Sequence, residues 1–292
     1  MKTAIVTDSN SGITQTEAGK MGVFVIPMPF IIGEEEYFED INLTQEEFYQ
    51  KLLTGEDIST SQPAIGQVTD FWDKILKEYD EIVHIPMSSG LSESCNTALR
   101  LAEDYNGRVQ VVDNHRISVT QKQATIDALN MANDGMNAKE IKAYLERTSK
   151  DSSIYIMVDT LKYLKKGGRL TPAVAAIGTL LKIKPVLQIQ GGKLDTFAKV
   201  MSSQVGKAKM IEAMKKDLVE RFKDFYNEMQ LYVAYTNCLE KAELFKQEIE
   251  KAIPNVEVTM MDSLSLSVAC HIGSGSIAIA CARKYIKSRR EK

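Results

Sequence analysis

The stretch that decides the fold class is Ile82-Val83-His84-Ile85-Pro86-Met87-Ser88-Ser89-Gly90-Leu91-Ser92-Glu93-Ser94-Cys95-Asn96, IVHIPMSSGLSESCN. A short β-branched apolar run gives way to small hydroxyls and a glycine, and a helix opens after them. That is the pattern of a buried strand feeding a helix. Apolar runs at Thr3–Thr7, Val23–Ile32, Val109–Val112 and Ile154–Val158 read as further strands, with helix-period stretches between most of them. Strands alternating with helices imply βαβ units and a parallel sheet, so the fold class is α/β.

Helix starts are marked. Thr44-Gln45-Glu46-Glu47 fits a capping box ahead of Phe48 and Leu52. Pro63 is expected in the first turn of a helix carrying Phe71, Trp72, Ile75 and Leu76, which makes the single tryptophan a core residue. Ile31–Asp40 (IIGEEEYFED) breaks the α/β rhythm; its Gly33-Glu34 suits a hairpin turn, and the segment is expected to project from the sheet as a flap.

A second α/β block follows about Ile154, with strands at Lys184–Gln190, Leu194–Val200, Leu231–Tyr235 and Val256–Met261 and helices at Val205–Phe222 and Glu240–Ile253. The charged and polar run Glu146–Asp151 marks the boundary. Two α/β domains are expected: residues 1–152 around a parallel sheet, and a smaller C-terminal domain, 153–292.

Of the 292 residues, 44% are hydrophobic, enough for a sizeable core. Basic and acidic residues number 36 and 39, for a net charge of −3, so no global field exists to gather nucleic acid or an anionic membrane. The four cysteines, Cys95, Cys238, Cys270 and Cys281, are scattered without CxxC or metal-ligand spacing and read as small buried thiols. MKTAIVTDS turns polar too soon for a signal peptide, and no apolar run approaches the ~20 residues that span a bilayer. A cytoplasmic protein is expected, with no stable membrane insertion and at most a passing membrane contact.

Ligands of open parallel sheets sit beyond the carboxyl ends of the strands. Four polar clusters fall at such places: Thr7-Asp8-Ser9-Asn10-Ser11-Gly12, Ser59-Thr60-Ser61-Gln62-Pro63, Ser88-Ser89-Gly90-Leu91-Ser92, and His271-Ile272-Gly273-Ser274-Gly275-Ser276. Hydroxyls at a helix start either cap that helix or form a neutral, donor-rich pocket for a carboxylate or phosphate. Asp8, a serine and His271 supply the residue types of a hydrolase triad. The Gly-x-Ser-x-Gly elbow is absent, however, because Gly90-Leu91-Ser92-Glu93-Ser94 lacks the final glycine. His84 and His115 read as structural. Lys165-Lys166-Gly167-Gly168-Arg169 has glycines and cations without P-loop spacing, and GxGxxG is missing. Nucleotide binding by this chain alone is not expected, and the basic loop reads as a surface that meets another protein.

In their order and spacing, TDSNSGIT, TSQPAIGQ, IPMSSGLS, VVDN, VDTLKYLKKGGRLT, LLKIKPVLQIQGGK and HIGSGSIAIA resemble the DegV family over nearly the whole chain. These are bacterial fatty acid-binding proteins that serve as lipid-carrying subunits of fatty acid kinase. The resemblance implies two α/β domains with a long-chain fatty acid between or beneath them. At the matching positions it implies Thr60 and Ser92 as carboxylate ligands, Ser89 and His271 as members of the surrounding polar network, and Arg169 in kinase docking rather than lipid contact. The chain would be a carrier with no cofactor or metal of its own. ATP and Mg²⁺ would belong to the partner kinase, which makes acyl phosphate for phospholipid synthesis.

Two departures stand out. Glu93-Ser94-Cys95 follows the SSGLS turn where the family commonly has glycine; a glutamate there suits the helix dipole and repels a nearby carboxylate. Met201-Ser202-Ser203-Gln204 stands where the family usually places arginines linked to partner recognition. The competing reading is a serine hydrolase acting on an acyl ester through Ser92 or Ser89 with His271, and a third is a small-molecule sensor without a kinase. Val174–Leu181 and Ile277–Ile279 are candidate tunnel walls, with a plain core role open for both.

Overall fold

Strand β1 (Thr3–Asp8) leads through α1 (Gln15–Met21) to β2 (Phe24–Ile26); the structure, a computed structural model, describes residues 1–169, 171–175 and 183–287. The run Val23–Ile32, expected as one strand, breaks at Pro27, which has no N–H to give a ladder, and β2 and β3 (Pro29–Ile32) join different sheets. β3 turns at Gly33-Glu34, with Gly33 at φ +64, into antiparallel β4 (Glu35–Phe38). The hairpin is as expected, but it is not a free flap. After α2 (Gln45–Thr54), whose Thr44–Glu47 capping box is formed, β5 (Ile58–Thr60) pairs with the other edge of β3. Phe30, Phe48, Tyr49, Leu52 and Ile58 give this three-stranded sheet a buried core of its own, because that many large apolar side chains cannot stay in water.

Helix α3 (Ile65–Ile75) begins beyond Pro63. Gln67 Oε1 accepts from the Ala64 N–H at 3.1 Å, so the proline precedes the helix rather than occupying its first turn. Trp72 is fully buried, as expected. β6 (Glu81–Ile85), α4 (Ser94–Ala102) and β7 (Val109–Val111) complete a four-stranded sheet, ordered β2-β1-β6-β7 and parallel throughout.

The chain then forms α5 (Ser118–Asn133) and α6 (Ala138–Arg147). α5 packs against β1 and β6 of the first sheet and β11–β13 of the second. It has no apolar stripe, because it is covered on both sides. Its polar side chains act as cross-links. Gln121 Nε2 donates to Thr7 Oγ1, Asp8 Oδ1 and the Ile85 carbonyl, each at 3.1 Å. Gln123 Oε1 accepts from the Tyr232 hydroxyl at 3.1 Å, and Lys122 Nζ lies 2.8 Å from both Glu17 and Asp262.

The second half runs β8 (Ser152–Met157), α7 (Lys162–Lys166), α8 (Pro172–Ala175), β9 (Lys184–Ile189), β10 (Leu194–Val200), α9 (Ser203–Lys216), β11 (Met229–Tyr235), α10 (Leu239–Ala252), β12 (Val258–Ser263), α11 (Leu266–Ile272) and β13 (Ile277–Arg283). Its six-stranded sheet, ordered β10-β9-β8-β13-β11-β12, is parallel only between β11 and β12. β13, whose sequence was read as a tunnel wall, is a central strand. Its period of two turns Ile277, Ile279 and Cys281 toward Met210, Met214 and Phe245 of α9 and α10. Ala278, Ala280 and Ala282 face the other side. Of the candidate stretch Ile277–Ile279, therefore, only Ala278 lines the cavity described below. Residues 176–181 of the other candidate stretch lie outside the described residues.

Candidate functional site

A cavity with about 1000 Å³ of empty space, open solvent at its mouth included, separates the first half of the chain from the inner face of the six-stranded sheet. The sheet's contribution follows from strand alternation. Ile154 and Ile156 of β8, Ala278 and Ala280 of β13 and Ala234 of β11 occupy neighbouring register positions on one face. Alanines at the centre leave room that isoleucines would fill. Met87, Leu91, Ile117 and Val119 cover the opposite side.

One polar patch of the cavity wall is built around Thr60 and His271. In β5, Ile58 and Thr60 point to the same side as Phe30, and α11 packs on that side. Within α11, Leu266, Ala269 and Cys270 face the small sheet's core, while Ser267, Val268, His271 and Ile272 face the cavity. His271 Nε2 thereby lies 2.9 Å from Thr60 Oγ1. Burial and the nearby Arg169 guanidinium push the His271 pKa down to about 4, so the ring is neutral at physiological pH. Ser61 and Gln62 line the cavity next to Thr60, and Gln62 is tied to α4 by the Thr97 hydroxyl, 3.0 Å away.

The SSGLS turn divides its labour. Ser88, fully buried, donates to the Gly192 carbonyl at 2.8 Å and fixes the turn to the β9–β10 connection. Ser89 Oγ donates to the Asp113 carboxylate and is not part of the cavity wall. Ser92 does line the cavity, and its Oγ accepts from the Ser94 N–H at 3.2 Å. Glu93 is exposed and accepts from Asn96 Nδ2 at 3.0 Å, so it turns its charge away. Among the described residues, no Asp or Glu lines the cavity.

The DegV family model, described as an uncharacterised protein family, matches residues 2–284. The chain belongs to the DegV family. A DegV domain-containing protein of Staphylococcus aureus strain N315 is 27% identical over 285 residues, covering 97% of this chain and 99% of its own. Two solved structures are similar in fold. A Thermus thermophilus DegV family protein, described by its fatty acid binding, superposes with a TM-score of 0.87 at 26% identity, over 97% of this chain and 100% of that one. Bacillus subtilis DegV, described as a fatty acid binding protein, has a TM-score of 0.84 at 28% identity over the same shares.

In this DegV chain, Arg169 is exposed and lines the cavity beside His271; its Nη1 donates to the Gly167 carbonyl at 2.7 Å. A hydrolytic triad is not assembled. Asp8 accepts from the Met87 N–H at 2.8 Å, the Asn10 N–H at 3.0 Å and Gln121 Nε2 at 3.1 Å, stapling β1 to the PMSSGLS segment, and burial raises its pKa. His271 bonds Thr60 rather than a serine, and its Nδ1 has no partner among the described residues. His84 packs edge-on to Trp72 at 5.6 Å, its pKa pushed down to about 3 by burial. Also among the described residues, no group of three or more His, Cys, Asp or Glu side chains is placed to hold a metal, and no helix is long and apolar enough to cross a membrane.

Asn10, Ser118 and Ser267 also line the cavity. Asn10 belongs to a polar cluster at a strand end. Ser118 and Ser267 carry no comparable signal, because α5 lacks amphipathic patterning and α11 is a short helix.

Proposed function

We propose that this protein binds one long-chain fatty acid in the cavity, with the carboxylate at Thr60, Ser92 and His271 and the chain along the alanine-lined face of the six-stranded sheet. The observation that carries the reading is an apolar cavity lined by hydroxyls, two amides, a neutral imidazole in contact with Thr60 and one arginine, with no carboxylate among the described lining residues. About fourteen buried methylenes at roughly 0.8 kcal/mol each offer on the order of 11 kcal/mol before the costs of binding. A charge-assisted hydrogen bond contributes only about 1.5–3 kcal/mol. The chain thus sets affinity, and the polar cluster sets orientation and head-group choice.

In this reading the protein is a non-catalytic cytoplasmic carrier. It presents the carboxylate at the mouth, next to Arg169, to a partner kinase that forms the acyl phosphate. Ser89 serves by bracing the SSGLS turn through Asp113. The test is denaturing extraction of protein purified from bacteria, followed by mass spectrometry. A stoichiometric long-chain fatty acid is expected; protein that carries none and takes none up from solution overturns the reading.

A further inference from the structure

We propose that Gly167 is a positioning residue of the carboxylate site, holding His271 in the tautomer that frees the Thr60 hydroxyl proton for the ligand. This rests on the reading that a carboxylate binds at Thr60.

Gly167 closes α7 at φ −77, a conformation open to any residue, whereas its neighbour Gly168, at φ +68, is the one whose backbone calls for glycine. What position 167 requires is space. A Cβ there would lie 2.1 Å from His271 Nδ1 and 2.6 Å from Cε1. A second glycine repeats the arrangement, since a Cβ at Gly273 would lie 2.5 Å from the Tyr163 ring. α7 and α11 therefore meet through two glycines, and the Nδ1 edge of the imidazole rests on the Gly167 backbone.

That contact decides where the proton sits. Nδ1 is buried without a hydrogen-bond partner among the described residues. An N–H left unpaired there costs the desolvation of a donor, while a bare ring nitrogen against a Cα–H costs less. The proton is therefore on Nε2, which donates to Thr60 Oγ1 across 2.9 Å. Thr60 Oγ1 makes no other hydrogen bond among the described residues, so its own proton points to the cavity. The opposite tautomer would reverse the bond and turn the Thr60 proton toward the ring. Burial and Arg169 keep the imidazole neutral, which preserves this arrangement at physiological pH.

The test is ¹⁵N–¹H correlation of the His271 ring in ¹⁵N-histidine-labelled full-length protein, stripped of lipid and then loaded with palmitate. Nε2 is expected to carry the proton in both states. Gly167→Ala should weaken palmitate retention by roughly tenfold to a hundredfold, the worth of one charge-assisted hydrogen bond. In a His271→Asn background the same change should add less than about twofold. Protonation on Nδ1, or full additivity of the two substitutions, overturns the proposal. The wild-type ring measurement decides even where Gly167→Ala is destabilised. A wild type that takes up no palmitate overturns the fatty acid reading and with it the ligand role of the Thr60 proton, whereas Nδ1 protonation in a wild type that does take it up overturns the positioning by Gly167 alone.

Discussion

Thr60 and His271, 211 positions apart, meet with Oγ1 2.9 Å from Nε2, one carried by the edge strand of the small sheet and the other by a short helix of the C-terminal half. The bond joins the two halves of the chain at the cavity. A ligand held there senses both halves at once.

Removing the hydroxyls should therefore weaken binding without unfolding. Thr60→Val keeps shape and Ser92→Ala removes one atom, and each is expected to lower fatty acid retention roughly tenfold, with a thermal midpoint within a few degrees of wild type. The readout is bound acyl chain per mole after gel filtration. Full retention in the double variant would place the head group elsewhere.

Adjacent residues on β13 should behave oppositely. Ala280 lines the cavity, so Ala280→Leu should shift the bound chains to shorter ones or exclude them while leaving the lipid-free protein at least as stable. Ile279 is buried against α9 and α10, and Ile279→Ala should cost about 2–5 kcal/mol without changing which chain is bound. Mass spectrometry of extracts and urea denaturation distinguish the two. An identical ligand profile from Ala280→Leu would remove the alanine face from the binding wall.

Two half-buried groups impose pH dependences of opposite sign. The His271 pKa is depressed, so between about 6.5 and about 4 the unfolded chain binds the proton that the folded chain refuses, and stability is lost as pH falls through that window. The contribution is on the order of 3 kcal/mol, and His271→Asn should flatten the curve there. Glu39 is raised to about 7, chiefly by burial, so its contribution is present below 4.5 and is lost as pH rises toward 7. Its carboxylate accepts from the Leu266 N–H at 2.8 Å, an acceptor role that glutamine keeps. Glu39→Gln should accordingly gain stability relative to wild type at pH 8. Urea midpoints measured from pH 4 to 8 check both signs; parallel curves for wild type and variants would refute them.

Arg169 stands where ligand and partner would meet. Arg169→Ala should weaken capture of a cognate fatty acid kinase and, because the guanidinium lies beside His271, also lower fatty acid retention severalfold. Pull-down with lipid-loaded protein reads the first effect, and mass spectrometry the second. Kinase capture unchanged by the substitution would take Arg169 out of the docking surface.

Much of the first sheet was legible locally. β1, β6 and β7 are apolar runs ended by polar residues, and the Thr44–Glu47 capping box and the Gly33-Glu34 turn are written in consecutive positions. The readings that changed depended on what packs where. Pro27 divides an apolar run between two sheets, and β5 has no apolar run of its own and becomes a strand by pairing with β3. α5 looks patternless because it is buried from two directions, with its polar side chains satisfied by both sheets. IAIACAR reads as one apolar stretch until the sheet assigns its isoleucines to the helices and its alanines to the cavity.

The candidate site divides in the same way. The clusters that hold Thr60, Ser92, His271 and Arg169 leave a local mark, because hydroxyls and a basic loop stand at strand and helix ends, and the resemblance to the DegV family picked out those four residues within them. Which of those groups meet is a matter of chain segments far apart in sequence, and only the packing of α7 and α11 against the small sheet decides it. That packing brings Arg169 to the cavity wall and rests the His271 ring on Gly167, while within the first half of the chain Ser89 bonds Asp113 and Glu93 turns to solvent. Local chemistry determined the donors, while long-range close packing, down to the absence of a single Cβ, decided where they point.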